Sequence, residues 1–461
     1  MYKRVACFLL FLIIVLTQIE SLFASNVPNV TKEMQFPEFW INNFATSSEV
    51  VMNEEEIRHY NEQLVKEGEK TGISDLKSYH GKLLSKESLT QLLNTCRPPL
   101  RDFFTDGKPV PEEVYKALEY KTNTHEVKET NPIRYGFSVK KTNIRFFPSN
   151  LPFYSTPNSI EFDFMQHTLI NAAEPLIVLH KSTDDNWLFV QTQHVIGWAL
   201  KSDIAIASSA EEWFSYFEPE NFLIITGNCI KLGFNPYSKE LSELEIGMST
   251  KLPFIPEDKA PPILDNQTTA GSYVVQLPTR DDFGMLKIKE TTLPMVNDVS
   301  IGYLPYTREN VLKQAFKMLG NRYGWGGMFN SRDCSSFIWD VYKCFGIMFP
   351  RNSKQMADSP GATVDFKELT TEKRMSALNK IPPGSTLQMD GHVLMYLGDF
   401  NGQHFAIHSF FAYGDIEKRE PDGIIPNIFI NSVIVSRLDL PRKKSGTPLI
   451  DNIISSKLVL N

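Results

Sequence analysis

Between Thr307 and Phe411 the hydrophobic period changes once, from helical to alternating, which restricts this part of the chain to helices followed by paired strands. Thr307 has the chemistry of a helix cap, Val311, Leu312, Ala315, Phe316 and Leu319 share one face of the helix it opens, and Gly320 sits where such a helix stops. A loop rich in glycine and aromatics follows, Arg322-Tyr323-Gly324-Trp325-Gly326-Gly327. Asp333 then caps a second helix, in which Phe337, Ile338, Val341, Tyr342 and Phe345 recur at helical spacing until Gly346, so that Cys334 falls in its first turn. Downstream, Pro382-Pro383-Gly384 marks a turn, Thr386 to Met389 an entering strand, and His392 to Leu397 a strand with His392 at its start. Gly398 to Gly402 makes the next turn and His404 to Phe411 returns.

The position of Cys334 matters because the thiolate is the nucleophile, and unpaired amides at a helix start favour a thiolate over a thiol of pKa about 8.5. Cys344, near the far end of the same helix among apolar neighbours, has the setting of a structural cysteine. A nucleophilic cysteine also needs a base and a group that orients it. His392 is placed to be the base. If the turn after it is centred near Phe400 or Asn401, residues around 408 to 410 lie opposite His392. His408 is therefore expected as the orienting residue, in preference to His404, which shares its face by period two but sits beside the turn.

The order Cys334, His392, His408 resembles that of the NlpC-type papain-like cysteine peptidases. Tyr323-Gly324-Trp325-Gly326-Gly327 looks like the family's Tyr-x-Trp-Gly-Gly loop, Asp333-Cys334-Ser335-Ser336-Phe337 its Asp-Cys-Ser-Gly-Phe box, Gly391-His392-Val393 its Gly-His-Val strand, and Ala406-Ile407-His408-Ser409 its third-residue strand. The resemblance implies an α+β papain-like catalytic domain, attack by Cys334 on an amide carbonyl, proton transfer by His392, and an oxyanion site made from the Cys334 amide and Tyr323. It further implies cleavage of the bond from γ-D-glutamate to a diamino acid such as diaminopimelate, with Trp325, Asp333, Ser335, Asn352 and Ser353 on the substrate and neither metal nor cofactor. Where the family binds a free L-Ala amine with an Arg-Asp-Ser aspartate, this chain has Arg351-Asn352-Ser353. An asparagine accepts a hydrogen bond from an ammonium but supplies no charge, so that preference is expected to weaken. Ser336 in place of glycine, and one residue fewer between the tyrosine loop and the cysteine, leave the catalytic groups in place and reshape the cleft.

A chain of 461 residues is too long for one core. From Tyr135 to Ala207 short alternating runs, Leu176 to His180 and Trp187 to Val190, flank the turn Asp184-Asp185-Asn186, with Gly197-Trp198-Ala199-Leu200 after them and Thr142 to Pro148 before. That spacing resembles a bacterial SH3-like barrel, and residues 221 to 300 repeat the grammar as a second one. Residues 26 to 134 read as a small helical segment: Asn53-Glu54-Glu55-Glu56 has capping-box form, and the narrow stripe Ile57, Tyr60, Leu64, Val65 predicts packing on other domains. The catalytic domain is expected over 306 to 461.

Residues 1 to 25, with Lys3-Arg4 before an apolar run from Val5 to Leu16 and small residues at Ala24-Ser25, read as a secretory signal too short to span a membrane. This predicts an exported protein of the periplasm or cell envelope, not stably inserted in a membrane once processed. The chain carries a formal net charge of −7, and losing Lys3, Arg4 and Glu20 with the signal leaves −8, which disfavours nucleic acid as a partner. The remaining cysteines, Cys96, Cys229, Cys334 and Cys344, have neither metal-type nor paired spacing. The expected partners are peptidoglycan stem peptides or muropeptides. The competing readings are a non-catalytic wall-peptide-binding protein, and another amidase or acyl transferase on the same scaffold.

Overall fold

The computed structural model describes residues 27–99, 101–443 and 445–459. The expected signal segment lies outside the described residues. Among those described, no helix is long and apolar enough to cross a membrane.

The chain is multidomain, with two antiparallel β-units followed by an α+β unit. The first is a seven-stranded sheet built from Arg134–Ser138, Thr142–Arg145, Gln166–Ile170, Pro175–Lys181, Trp187–Gln191, Ile196–Leu200 and Ile204–Ile206. Its alternating residues close on Ile144, Leu176, Val178, Leu188, Val190 and Ala199. The strand Arg134–Ser138, second from one edge, and the edge strand Gln166–Ile170 carry too much polar and glycine character to stand out by alternation, and pairing with Pro175–Lys181 and Thr142–Arg145 creates them. The second unit is a five-stranded sheet in the spatial order Leu286–Pro294, Ser272–Arg280, Lys251–Ile255, Phe222–Ile225, Val299–Ile301. Trp213 and Tyr216, on the helix Ala210–Phe217 between the units, are buried in a core that both share.

The α+β unit sets its helices against a six-stranded antiparallel sheet ordered Ala362–Asp365, Ile453–Leu458, Thr386–Met389, His392–Phe400, Gln403–Gly414, Asn427–Arg437. The helix Cys334–Lys343 lies on the strands that carry His392 and His408, with Phe337, Ile338 and Val341 packed against Val393, Met395 and Ile407.

The N-terminal segment contains more than helices. Val50–Met52 pairs with Tyr306–Thr307, and Leu83–Ser85 with Thr130–Pro132, two- and three-residue strands that exist only because distant chain supplies a partner. Asn53 and Glu56 form a reciprocal capping box for the helix Glu54–Lys66. Its Tyr60 donates to the Pro360 carbonyl at 3.1 Å, and Asn61 bonds Gly346 O and Met348 N at 2.8 and 2.9 Å, so the segment packs on the α+β unit.

Candidate active site

Asp333 opens the helix Cys334–Lys343 by a reciprocal bond: its Oδ1 accepts from Ser336 N at 2.8 Å and its own N–H donates to Ser336 Oγ at 2.9 Å. The serine that departs from the family box thus completes the cap. Cys334 is the first residue of the helix, with its side chain turned toward the strand beginning at His392.

His392 keeps one edge open, and its Nε2 lies 2.8 Å from Nδ1 of His408. His408 is fully buried, and its other nitrogen, Nε2, stands 2.9 Å from Ser436 Oγ on the outer strand Asn427–Arg437. A bulge between Tyr396 and Gly398 and the turn at Asn401-Gly402 set this register, with Met395 opposite Ile407. His404 sits further along, its Nδ1 2.7 Å from the Tyr396 hydroxyl, and does not meet His392.

Burial and a neighbouring charge work against the thiolate that the helix start favours. Burial pushes the Cys334 thiol up to about 12, with the Asp333 charge adding to it, while the Val393 and Ser335 amides oppose the shift. The helix start is present, but its capping carboxylate brings a negative charge to the sulfur. Burial also drives His392 down to about 3, helped by the positive charges of Arg442 and Lys443. Both shifts favour the neutral forms, a thiol on Cys334 and an uncharged imidazole on His392. Alkylation of Cys334 by iodoacetamide is expected to accelerate about tenfold per pH unit through the neutral range, since only the thiolate reacts. A rate that is flat from mildly acidic to mildly basic pH would instead reveal a preformed ion pair.

Tyr323 is buried beside this pair. Burial first, and then the charges of Cys334 and Asp333, raise its hydroxyl well above the usual phenol range, keeping it a donor. Its loop is pressed against the first β-unit. A Cβ at Gly327, which has φ +88°, would lie 2.2 Å from Leu169 Cβ, so only glycine fits there.

The side chains of Asp333 and Ser335 converge on a residue to which the sequence pattern assigned no role. Arg351 donates to Asp333 Oδ1 and Oδ2 at 3.1 and 2.8 Å, to Ser335 Oγ at 2.8 Å, and through Nε to Thr168 Oγ1 of the first β-unit at 2.9 Å. Burial opposes ionisation of Asp333, yet the Arg351 charge and its hydrogen bonds hold the carboxyl below its ordinary range. Asn352 is exposed, and its Oδ1 accepts from Lys354 N at 2.9 Å as the cap of the short helix that Ser353 begins. Trp325 is half-buried against Phe162 and Phe164, and its indole N–H has no partner among the described residues.

Phe162 is the other residue that sequence left unmarked. It reaches from the first β-unit to Tyr323, Trp325 and Phe411, with ring centroids 5.9, 5.4 and 4.7 Å away. The Lys443 ammonium lies over the rings of both Phe162 and Phe411. Only the aromatic richness of Phe162-Asp163-Phe164 could have flagged it.

The cysteine at the helix start thus packs on the antiparallel sheet whose adjoining strands carry the histidine pair. The model of the NlpC/P60 family matches residues 320–426, and that of an SH3 domain of the SH3b1 type matches residues 152–199. Residues 320–426 thus carry an NlpC/P60 domain, preceded by an SH3-type domain. A γ-D-glutamyl-L-lysine dipeptidyl-peptidase from Bacillus cereus is 29% identical over 186 residues, which are 40% of this chain and 50% of the relative, so the chain spans about half the length of that curated relative. The solved structure of an NlpC/P60 endopeptidase from Photobacterium damselae subsp. piscicida superposes with a TM-score of 0.70 at 16% identity, covering 91% of this chain and 96% of that one. It shares the fold.

Proposed function

We propose that this protein is an exported cysteine peptidase that hydrolyses the γ-D-glutamyl to diamino acid amide of peptidoglycan stem peptides. The observation that carries the reading is the imidazole pair of His392 and His408, 2.8 Å apart, on strands against which the helix that Cys334 begins is packed. The choice of bond is supported by the relative whose name specifies γ-D-glutamyl-L-lysine.

As the Cys334 sulfur attacks the γ-glutamyl carbonyl, His392 takes the thiol proton. The Cys334 amide and the Tyr323 hydroxyl donate to the developing oxyanion. His392 then returns the proton to the leaving amine of the diamino acid, which leaves a thioester. Water, deprotonated by His392, attacks that thioester, and its collapse yields the free γ-carboxyl and restores the thiol. Asp333 and Ser335 act from the network that Arg351 organises, and Ser353 and Trp325 complete the acyl side. Asn352 supplies no charge for a terminal amine.

The test is digestion of L-Ala-γ-D-Glu-diaminopimelate with a free or a blocked N-terminus, read by mass spectrometry. The reading requires release of L-Ala-D-Glu, with weak discrimination between the two forms. A folded protein that cleaves neither would overturn it.

The aromatic wall at Phe162 limits the cleft to short or terminal stems. Phe162→Gly is expected to raise the ratio of kcat/KM on polymeric wall to that on free peptide about tenfold or more, since the wall acts by exclusion. An unchanged ratio would remove Phe162 from this role.

A further inference from the structure

The mechanism above leaves one polar group in direct contact with the histidine pair without a task. Ser436 is fully buried on the strand Asn427–Arg437, opposite Ala406, and its Oγ lies 2.9 Å from His408 Nε2. We propose that Ser436 is a positioning residue that holds His408 in the tautomer protonated at Nε2, and so keeps the Nδ1 lone pair of His392 available to Cys334. The proposal rests on the peptidase reading of Cys334 and His392.

The argument is a count of hydrogens. His392 uses Nε2 toward His408, so its base nitrogen toward Cys334 is Nδ1. A neutral imidazole carries one N–H, and a base at Nδ1 requires that hydrogen on Nε2. His392 Nε2–H must then donate, and His408 Nδ1 must accept. His408 therefore carries its own hydrogen on Nε2, in a site with no exposed surface. A buried N–H left unpaired is costly, and the Ser436 hydroxyl is its acceptor. Burial, and then the charge of His392, hold the His408 pKa well below the usual imidazole value, which keeps the ring neutral as the count assumes.

Removing the hydroxyl reverses the preference. With alanine at 436, a hydrogen on His408 Nε2 would face a methyl group, whereas on Nδ1 it still has His392 as acceptor. His408 would then donate to His392 Nε2, the His392 hydrogen would move to Nδ1, and the nitrogen facing Cys334 would have no lone pair. Ser436 thus acts two residues away from the sulfur without touching substrate.

The experiment is nitrogen–proton correlation NMR of the imidazoles in protein carrying 15N-histidine, with kinetics on Ser436→Ala and Ser436→Thr. The expected result is a His408 hydrogen on Nε2 in the wild type and on Nδ1 in Ser436→Ala. The alanine variant is expected to lose roughly a hundredfold or more in kcat with KM within about twofold, as wrong-tautomer variants of such sites do, and threonine to restore most of it. A His408 hydrogen on Nδ1 in the wild type overturns the proposal even if the alanine variant does not fold, and so does a folded alanine variant with wild-type kcat. Activity surviving in Cys334→Ala, run in parallel, would instead overturn the peptidase reading.

Discussion

Cys334→Ala is expected to lower kcat on the γ-glutamyl peptide to background, a fall of roughly 10^5- to 10^6-fold, because no other group can form the acyl intermediate. The loss is chemical, not structural. The change removes one sulfur atom at the first position of a helix whose cap, the Asp333 and Ser336 pair, stays whole. The thermal midpoint is therefore expected to move by only a few degrees. Cys344→Ala is the matched control, since Cys344 is fully buried on the same helix's C-terminal side, with its sulfur 3.4 Å from Asp340 O. That variant is expected to lose stability and keep its turnover per folded molecule. Turnover by Cys334→Ala, measured by mass spectrometry on peptide free of wild-type enzyme, would contradict the mechanism.

Arg351→Met is expected to cost about 3–5 kcal/mol of stability, the penalty for leaving a buried carboxylate without its partner. Asp333 and Arg351 are each 7% exposed, and the guanidinium also bonds Ser335 and Thr168, so the variant loses the tie between the first β-unit and the cap of the cysteine helix as well. Denaturant unfolding measures this directly, and the pH dependence supplies a check on the cause. In the wild type the Asp333 carboxyl is held below its ordinary range, so its stabilising contribution is full above the unfolded carboxylate pKa of about 3.9 and is lost as pH falls through the lower folded value. The stability gap between wild type and Arg351→Met is therefore expected to narrow in acid. A gap that stays constant through that range would assign the cost to lost packing of the arginine stem. Activity is expected to fall with the pairing, since an unpartnered Asp333 charge beside the sulfur opposes its ionisation still more.

What could be read from sequence were features with short range. The helix start at Asp333-Cys334 is legible because a cap and a 3.6-residue stripe lie within one segment, and His392 and His408 because one turn fixes which residues of adjacent strands can meet. The short strand pairs of the N-terminal segment were not legible, since their partners lie far along the chain. The same holds for the groups that tune the site. Arg351 reaches back to Asp333 and across to Thr168 in another unit, Phe162 arrives from the first β-unit, and Ser436 meets His408 only because a third strand pairs beside the hairpin. The charge state of Cys334 also belongs to this second group. Residue order places the sulfur at a helix start, where amides favour a thiolate, but only the packed structure sets how deeply it is buried and how near the Asp333 carboxylate lies, and desolvation and that charge outweigh the helix end.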